Sequence, residues 1–176
     1  MRSIQLKQLL LSGSFIFLLK TGVCQPATGD NFNRNSIYLE LSSESPVYSI
    51  NYDRIFHKGK KINYSYKIGF SVEPDAVSLP LGVNLITGKK THHGEISLTI
   101  IPYLDHYKTF LNADDQSDKY LFIIPGLGYR YQKPEGKLFF KLVAGPFIFL
   151  DPPSNDFWNM NPKVYGSIQS GLGISF

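Results

Sequence analysis

The last segment of the chain constrains its fold more than any other feature. Between residues 164 and 176 the apolar side chains share one face, and they are Ile168, Leu172, Ile174 and Phe176. The other face carries only small or polar residues, which are Ser167, Gln169, Gly171, Gly173 and Ser175. Because successive side chains of a strand point to opposite faces, this segment predicts a strand between an apolar medium and a narrow polar interior. The terminal strand of a soluble sheet usually ends in frayed polar residues instead.

The same alternation recurs along the chain, whereas helical periodicity does not. In the segment 62–72, for example, Ile68 and Phe70 share one face, and Lys67 and Gly69 share the other. By this rule we predict strands at 36–42, 47–56, 62–72, 79–87, 94–103, 120–132, 138–149 and 164–176. About eight strands of alternating polarity are the pattern of a small transmembrane β-barrel. We therefore predict an all-β fold, a closed antiparallel up-and-down barrel.

The N-terminal residues follow the order of a secretory signal peptide. Arg2 and Lys7 precede an apolar run at 9–19, and small and polar residues follow at 21–25. The apolar run is shorter than the roughly 20 residues that a transmembrane helix needs. In the alternative, a lipoprotein, Cys24 is the acylated first residue. We predict cleavage after Cys24, which divides the chain into a signal peptide at 1–24, a short segment at 25–35 and one barrel domain at 36–176.

The predicted connections fall into two sets that differ in length and charge. One set is short and rich in lysine, at 57–61, 88–92 and 133–137. The other is generally longer and acidic, and it contains Glu44, Glu73, Asp75, Asp105, Asp114, Asp115, Asp118, Asp151 and Asp156. Bacterial barrels have short periplasmic turns and longer extracellular loops. We therefore expect the termini and the basic turns to be periplasmic and the acidic loops to be extracellular.

The predicted interior contains six charged side chains, three of each sign. They are Glu40, Asp53, Lys67, Glu95, Arg130 and Lys141. Buried charges must be paired, and Arg130 and Lys141 come from neighbouring strands. Glu95, on the strand before, is therefore expected to reach one or both of them. Because so narrow an interior is filled by side chains, the pattern predicts a salt-bridged plug rather than an ion path or an open pore.

Near the long loops, the sixth and seventh strands become apolar on both faces. The side chains expected to point inward there form a possible apolar mouth of Phe122, Ile124, Val143, Phe147 and Phe149. Such a mouth would hold an acyl chain, or it would pack under the loops with Phe157 and Trp158 folded over it. Packing is favoured, because apolar residues under loops usually form a satellite core.

Four prolines lie in or beside predicted strands, where a missing N–H removes a ladder hydrogen bond. Pro80 and Pro102 are interpreted as strand ends. Pro125 and Pro146 lie beside glycines at similar heights on neighbouring strands. We expect a kink or a β-bulge there.

Over residues 36–176 the sequence resembles the small OmpA-like and OmpX-like outer-membrane β-barrels of Gram-negative bacteria. The matching residues are the terminal alternation through Ile174 and Phe176, the glycine-rich strand 126–131 and the tight turn at 88–90. The resemblance implies a monomer in contact with outer-membrane lipids, whose C-terminal strand is recognised by the barrel-assembly machinery. It implies no cofactor and no metal, and it selects no single activity, because one fold serves many functions.

These observations favour a non-enzymatic outer-membrane protein whose role is structural or is binding through the long loops. One alternative is a lipid-modifying enzyme, catalysing acyl transfer or deacylation, with His106 near Asp105 and Ser117. Another is a soluble lipocalin-like lipid carrier, with a polar outer face and an apolar interior. Nucleic acid is not an expected partner, because the chain without its signal peptide is close to neutral. Solvated positions in the short turns are expected for His57, His92 and His93.

Overall fold

The computed structural model describes residues 33–88, 90–106, 118–150 and 162–176. They form nine strand segments, which are β1 (Asn35–Ser42), β2 (Tyr48–Lys58), β3 (Ile62–Val72), β4 (Ala76–Ser78), β5 (Leu81–Thr87), β6 (His92–Asp105), β7 (Asp118–Gln132), β8 (Leu138–Leu150) and β9 (Lys163–Ser175). Across these ranges, no helix is long and apolar enough to cross a membrane. The predicted signal peptide lies outside the described residues and stays a prediction.

The sheet closes on itself. Apart from β4 and β5, segments that follow one another along the chain pair antiparallel, and β1 also pairs with β9 from Ser36–Ser175 to Ser42–Gln169. The short β4 and the longer β5 both lie between β3 and β6, so the two segments together occupy one position in the barrel. The nine segments therefore make eight strands. The predicted closed antiparallel up-and-down barrel is confirmed.

The alternating polarity of each strand determines which of its side chains point into the barrel and which point outward. In β9 Ser167, Gln169, Gly171 and Ser175 are buried, whereas the exposed fraction is between 52% and 61% for Ile168, Leu172, Ile174 and the following Phe176. In β3 Ile68 is 48% exposed and the next residue inward, Lys67, is 1% exposed. Because side chains alternate along every strand, the same order repeats around the wall. The barrel therefore has an apolar outer surface and a largely polar interior.

The fourth strand of the barrel is interrupted at Pro80, which corrects the prediction of one continuous strand at 79–87. Leu79 and Pro80 lie between β4 and β5, and proline has no N–H for the ladder. Backbone hydrogen bonds still join these two residues to the neighbouring strands. Gly69 N donates to Pro80 O at 2.6 Å, and Leu79 N donates to Pro102 O at 3.1 Å. Pro102 itself lies inside β6 and not at its end.

A β-bulge in β2 extends that strand beyond its predicted end at residue 56. Ile55 pairs with Ser65 and His57 pairs with Tyr64, so Phe56 is the extra residue. A bulge bends the strand and leaves one residue unpaired. Consequently Phe56 and His57 are both exposed, although they are adjacent in the strand.

The two prolines in β7 and β8 interrupt the ladder without shifting it. Ile123 pairs with Ile148 and Leu127 pairs with Ala144, and the three pairs between them are missing from the ladder. Four steps separate the two pairs on each strand, so no residue is inserted. The described wall therefore has no β-bulge at this point, although one was expected. Instead, the ladder of backbone hydrogen bonds has a gap that includes Pro125 and Pro146.

Candidate functional site

The six predicted interior charges lie together in the barrel. Their side chains are at most 5% exposed. We call them the charged network, and they comprise Glu40 of β1, Asp53 of β2, Lys67 of β3, Glu95 of β6, Arg130 of β7 and Lys141 of β8. Six of the eight wall positions thus contribute one charge each. The alternation of polarity in each strand is what orients these side chains inward.

One part of the charged network joins two lysines and two glutamates. Lys67 Nζ lies 2.9 Å from Glu40 Oε1. Lys141 Nζ lies 3.5 Å from Glu40 Oε2 and 2.9 Å from Glu95 Oε1. Each lysine therefore contacts a carboxylate, and Glu40 and Lys141 each have two partners of opposite sign.

The other part of the charged network centres on Arg130. Its Nη2 lies 2.9 Å from Asp53 Oδ1 and its Nη1 lies 3.3 Å from Asp53 Oδ2, which is a two-point contact. Nη1 also lies 3.4 Å from Glu95 Oε2. Arginine binds carboxylates in this forked way because its guanidinium is planar. The six charges thus form one chain of alternating sign, in the order Lys67, Glu40, Lys141, Glu95, Arg130 and Asp53.

Neutral polar side chains add hydrogen bonds to Asp53 and Arg130 at one end of this chain. Asp53 Oδ2 accepts hydrogen bonds from Ser65 Oγ at 3.0 Å and from Asn84 Nδ2 at 2.8 Å. Arg130 Nε donates to Gln132 Oε1 at 2.8 Å, and Gln132 Nε2 donates to Asn33 O at 3.0 Å. Buried ions need such additional bonds to offset their desolvation. Neutral side chains therefore hold Asp53 and Arg130 of the charged network in defined positions.

Two aromatic rings cover the basic groups. The guanidinium of Arg130 lies 4.7 Å from the ring centre of Phe139, and Lys141 Nζ lies 5.6 Å from that of Tyr38. The two rings also contact each other, with 4.7 Å between their centres. A cation over an aromatic face is attracted by the ring quadrupole. These rings fill lumen space that the charged groups leave.

The side chain of His93 is buried in the barrel interior near the turn end, which corrects its predicted position in a solvated turn. It is 3% exposed, because β6 begins at His92 and continues the alternation of Glu95 toward the turn. Its ring Nδ1 lies 2.7 Å from Thr87 O and its Nε2 lies 3.2 Å from Gln132 O. The spacing of His93 and Glu95 was the signal in the sequence that identifies this position. His92 is exposed, with its ring 5.6 Å from that of Tyr131.

Toward the long loops, one side of the interior is apolar. The apolar cluster consists of Ile101, Phe122, Ile124 and Phe147, with Tyr103, Tyr120 and Phe149 packed against it. The ring centres of Phe122 and Phe147 are 4.9 Å apart. Of the predicted mouth residues, Val143 is also buried and Phe149 is partly buried. The two residues expected to cover them, Phe157 and Trp158, lie outside the described residues.

The histidine of the enzymatic alternative lies at the loop end of the barrel. His106 is about half exposed, and its ring nitrogens lie 3.8 Å from Asp75 Oδ2 and 3.7 Å from Asp105 Oδ2. The nucleophile of that hypothesis, Ser117, lies outside the described residues. Where the structure describes the chain, no group of three or more His, Cys, Asp or Glu residues is arranged to hold a metal ion.

The chemical capacity of the charged network follows from its pairing and burial. Every charge contacts at least one group of opposite sign, and all six side chains are shielded from solvent. A general acid or base has to reach the proton that it transfers, and these groups face one another instead. The arrangement is suited to filling the lumen and joining six strands.

Comparisons with known proteins add a similarity of fold to solved structures. No family model matches the chain, and no curated protein matches it. A similar solved structure is the crystal structure of the N-terminal β-barrel domain of Pseudomonas aeruginosa OprF, with a TM-score of 0.49 and 14% sequence identity. The alignment covers 82% of this chain and 98% of that one. At this identity and overlap, no functional property carries over from that protein to this one.

Proposed function

We propose that this chain is an integral outer-membrane β-barrel protein with a plugged interior, and that its role is structural or is binding through the long loops. The outer wall supports the membrane location. Large apolar side chains project from it, such as Leu127 at 67% and Ile50 at 60% exposure. A soluble lipocalin-like carrier would have a polar outer face. The apolar wall therefore argues against that alternative.

Aromatic side chains at the turn end of the wall also support this location. Tyr52, Phe56, Tyr64 and Tyr66 form a patch on β2 and β3, with ring centres 6.3 to 6.4 Å apart for the pairs in contact. A second patch on β6 to β8 contains His92, Tyr129, Tyr131 and Phe140. Tyrosines are enriched where a membrane meets water, because each ring is apolar and its hydroxyl is polar. Exposed aliphatic residues such as Leu98 and Ile100 of β6 lie farther from these turns.

The single observation that carries the plugged interior is the charged network. Its side chains meet across the lumen, as in the pairing of Asp53 from β2 with Arg130 from β7. An eight-stranded barrel is just wide enough for its side chains to fill. Ions would have to displace these contacts to pass. We therefore propose a barrel without an open pore, with its turns and termini on the periplasmic side.

Membrane fractionation tests the membrane location. The protein is expected in the outer-membrane fraction, with a gel mobility that changes on boiling because the closed barrel resists unfolding in detergent. A soluble periplasmic protein of constant mobility would contradict the proposal.

Conductance in planar bilayers tests the plug. The wild-type barrel is expected to give no conductance above the bare bilayer. The double variant Glu95→Ala/Lys141→Ala removes two long side chains from the centre and leaves two complete ion pairs, so it is expected to conduct. Ion flow through the wild type, equal to that of the variant, would refute the plug.

A further inference from the structure

Exposed cations surround the turn end of the barrel. The connections 59–61, 88–91 and 133–137 join β2 to β3, β5 to β6 and β7 to β8. Their described lysines are exposed and form what we call the basic rim, which comprises Lys60, Lys61, Lys90, Lys133 and Lys137. Glu135 is the single acidic side chain in the described part of these turns. This end of the molecule is therefore strongly positive.

The opposite end of the barrel has the opposite sign. Its described residues include Glu73, Asp75 and Asp105, and Tyr103 donates a hydrogen bond to Glu73 at 2.8 Å. Lys119 and Lys163 lie at this end as well, at the start of β7 and of β9. The chain thus separates its surface charge along the barrel axis. Such a separation is unnecessary for solubility, which requires only a mixed surface.

The basic rim is distributed around the barrel and not gathered on one side. Its three turns lie on consecutive strand pairs, which are β2 with β3, β5 with β6 and β7 with β8, and these pairs occupy six of the eight wall positions. A protein docked on one face would contact one or two of these turns. A layer of lipid headgroups around the barrel would contact all three. The distribution therefore fits a membrane surface better than a single protein partner.

The position of the basic rim along the barrel axis also fits a membrane surface. The aromatic patches of the outer wall lie at the ends of the strands that these turns join, and Arg54 lies between Tyr52 and Phe56 in β2. Aromatic side chains mark the headgroup boundary of a bilayer. Lysines just beyond that boundary reach the phosphates, and their charge attracts anionic lipids.

We propose that the basic rim binds the headgroups of anionic phospholipids in the leaflet at the turn end. This proposal rests on the proposed membrane location of the barrel. It adds a lipid preference that an apolar wall alone does not provide, because an apolar wall contacts the acyl chains of all phospholipids alike. The described carboxylates of the loop end would repel such headgroups, so we expect the preference at the turn end alone.

Spin-labelled lipids test the preference directly. The barrel is reconstituted in phosphatidylcholine bilayers, and the association of spin-labelled phosphatidylglycerol with its boundary is compared with that of spin-labelled phosphatidylcholine. A preference for phosphatidylglycerol is expected, and it should fall as salt is added because exposed charges are screened. Since a lysine near an anionic surface contributes about 1 kcal/mol, each lysine removed should lower the preference by up to about fivefold at the sites it contacts.

Matched variants identify the end of the barrel that is responsible. Lys60→Glu/Lys61→Glu changes two charges of the basic rim and is expected to reduce the preference. Lys119→Glu/Lys163→Glu makes the same change at the loop end and is expected to leave it unaltered. An equal effect of the two variants, or no preference in the wild type, would overturn the proposal. Failure of the wild type to enter phosphatidylcholine bilayers would instead refute the proposed membrane location.

Discussion

The loss of Glu95 should destabilise the barrel strongly, because this buried carboxylate contacts two cations. It lies 2.9 Å from Lys141 and 3.4 Å from Arg130. Glu95→Gln keeps the size of the side chain and removes its charge. Lys141 then retains one glutamate, Glu40, at 3.5 Å, and the interior carries an excess positive charge. Removing one partner of a buried ion pair costs about 3 to 5 kcal/mol.

A second substitution separates charge balance from side-chain packing. In Glu95→Gln/Lys141→Gln two complete pairs remain, Lys67 with Glu40 and Arg130 with Asp53, each at 2.9 Å. The interior is neutral again. We therefore expect the double variant to be more stable than Glu95→Gln alone, with an interaction energy of about 1 to 3 kcal/mol between the two sites.

Urea unfolding of the barrel in phospholipid vesicles, followed by gel mobility without boiling, measures these differences. Glu135→Gln is the matched control, because it removes the same charge from an exposed turn. Its effect is expected within about 0.5 kcal/mol of zero. Equal midpoints for Glu95→Gln and Glu135→Gln would refute the buried network, and strictly additive losses in the double variant would refute the coupling.

The outer wall and the lumen give two further predictions, each measured by unfolding in vesicles. Ile68→Arg should cost about 2 to 4 kcal/mol if Ile68 meets the bilayer midplane, and Ile68→Ser should cost less; an unchanged midpoint for the arginine variant would mean that Ile68 never contacts lipid. Gly171→Val should cost about 1 to 3 kcal/mol by overpacking, because a Cβ there would lie 2.8 Å from Lys141 Cγ and 2.9 Å from Tyr38 Cδ2. Gly166→Val on the same strand should be tolerated, because no atom lies within 4 Å of its Cβ position, and equal losses in the two glycine variants would contradict this packing argument.

The alternation of polarity was sufficient to predict the barrel and the facing of its strands. The backbone of a strand directs successive side chains to opposite faces. A run in which Ile68 and Phe70 alternate with Lys67 therefore identifies both faces at once. Local irregularities carried weaker signals. The break at Pro80 and the bulge at Phe56 depend on hydrogen bonds to other strands, which one segment of sequence does not contain.

Contacts across the lumen were harder to predict than contacts between neighbours. The approach of Glu95 to Lys141 and Arg130 follows from three consecutive strands, so it could be expected from the sequence. The pairing of Asp53 with Arg130 joins residues 77 positions apart, on strands that do not touch. It depends on the barrel diameter and on the stagger of the strands, which are collective properties of the closed sheet.

The gap in the ladder between β7 and β8 has a consequence for how this wall is held together. The residues in the gap include Ile124 and Phe147, and both belong to the apolar cluster that packs behind it. Side-chain packing therefore replaces backbone hydrogen bonds along this stretch. Apolar packing weakens on cooling, whereas ladder hydrogen bonds hold the rest of the wall. We therefore expect cooling to loosen this part of the wall more than the rest of the barrel.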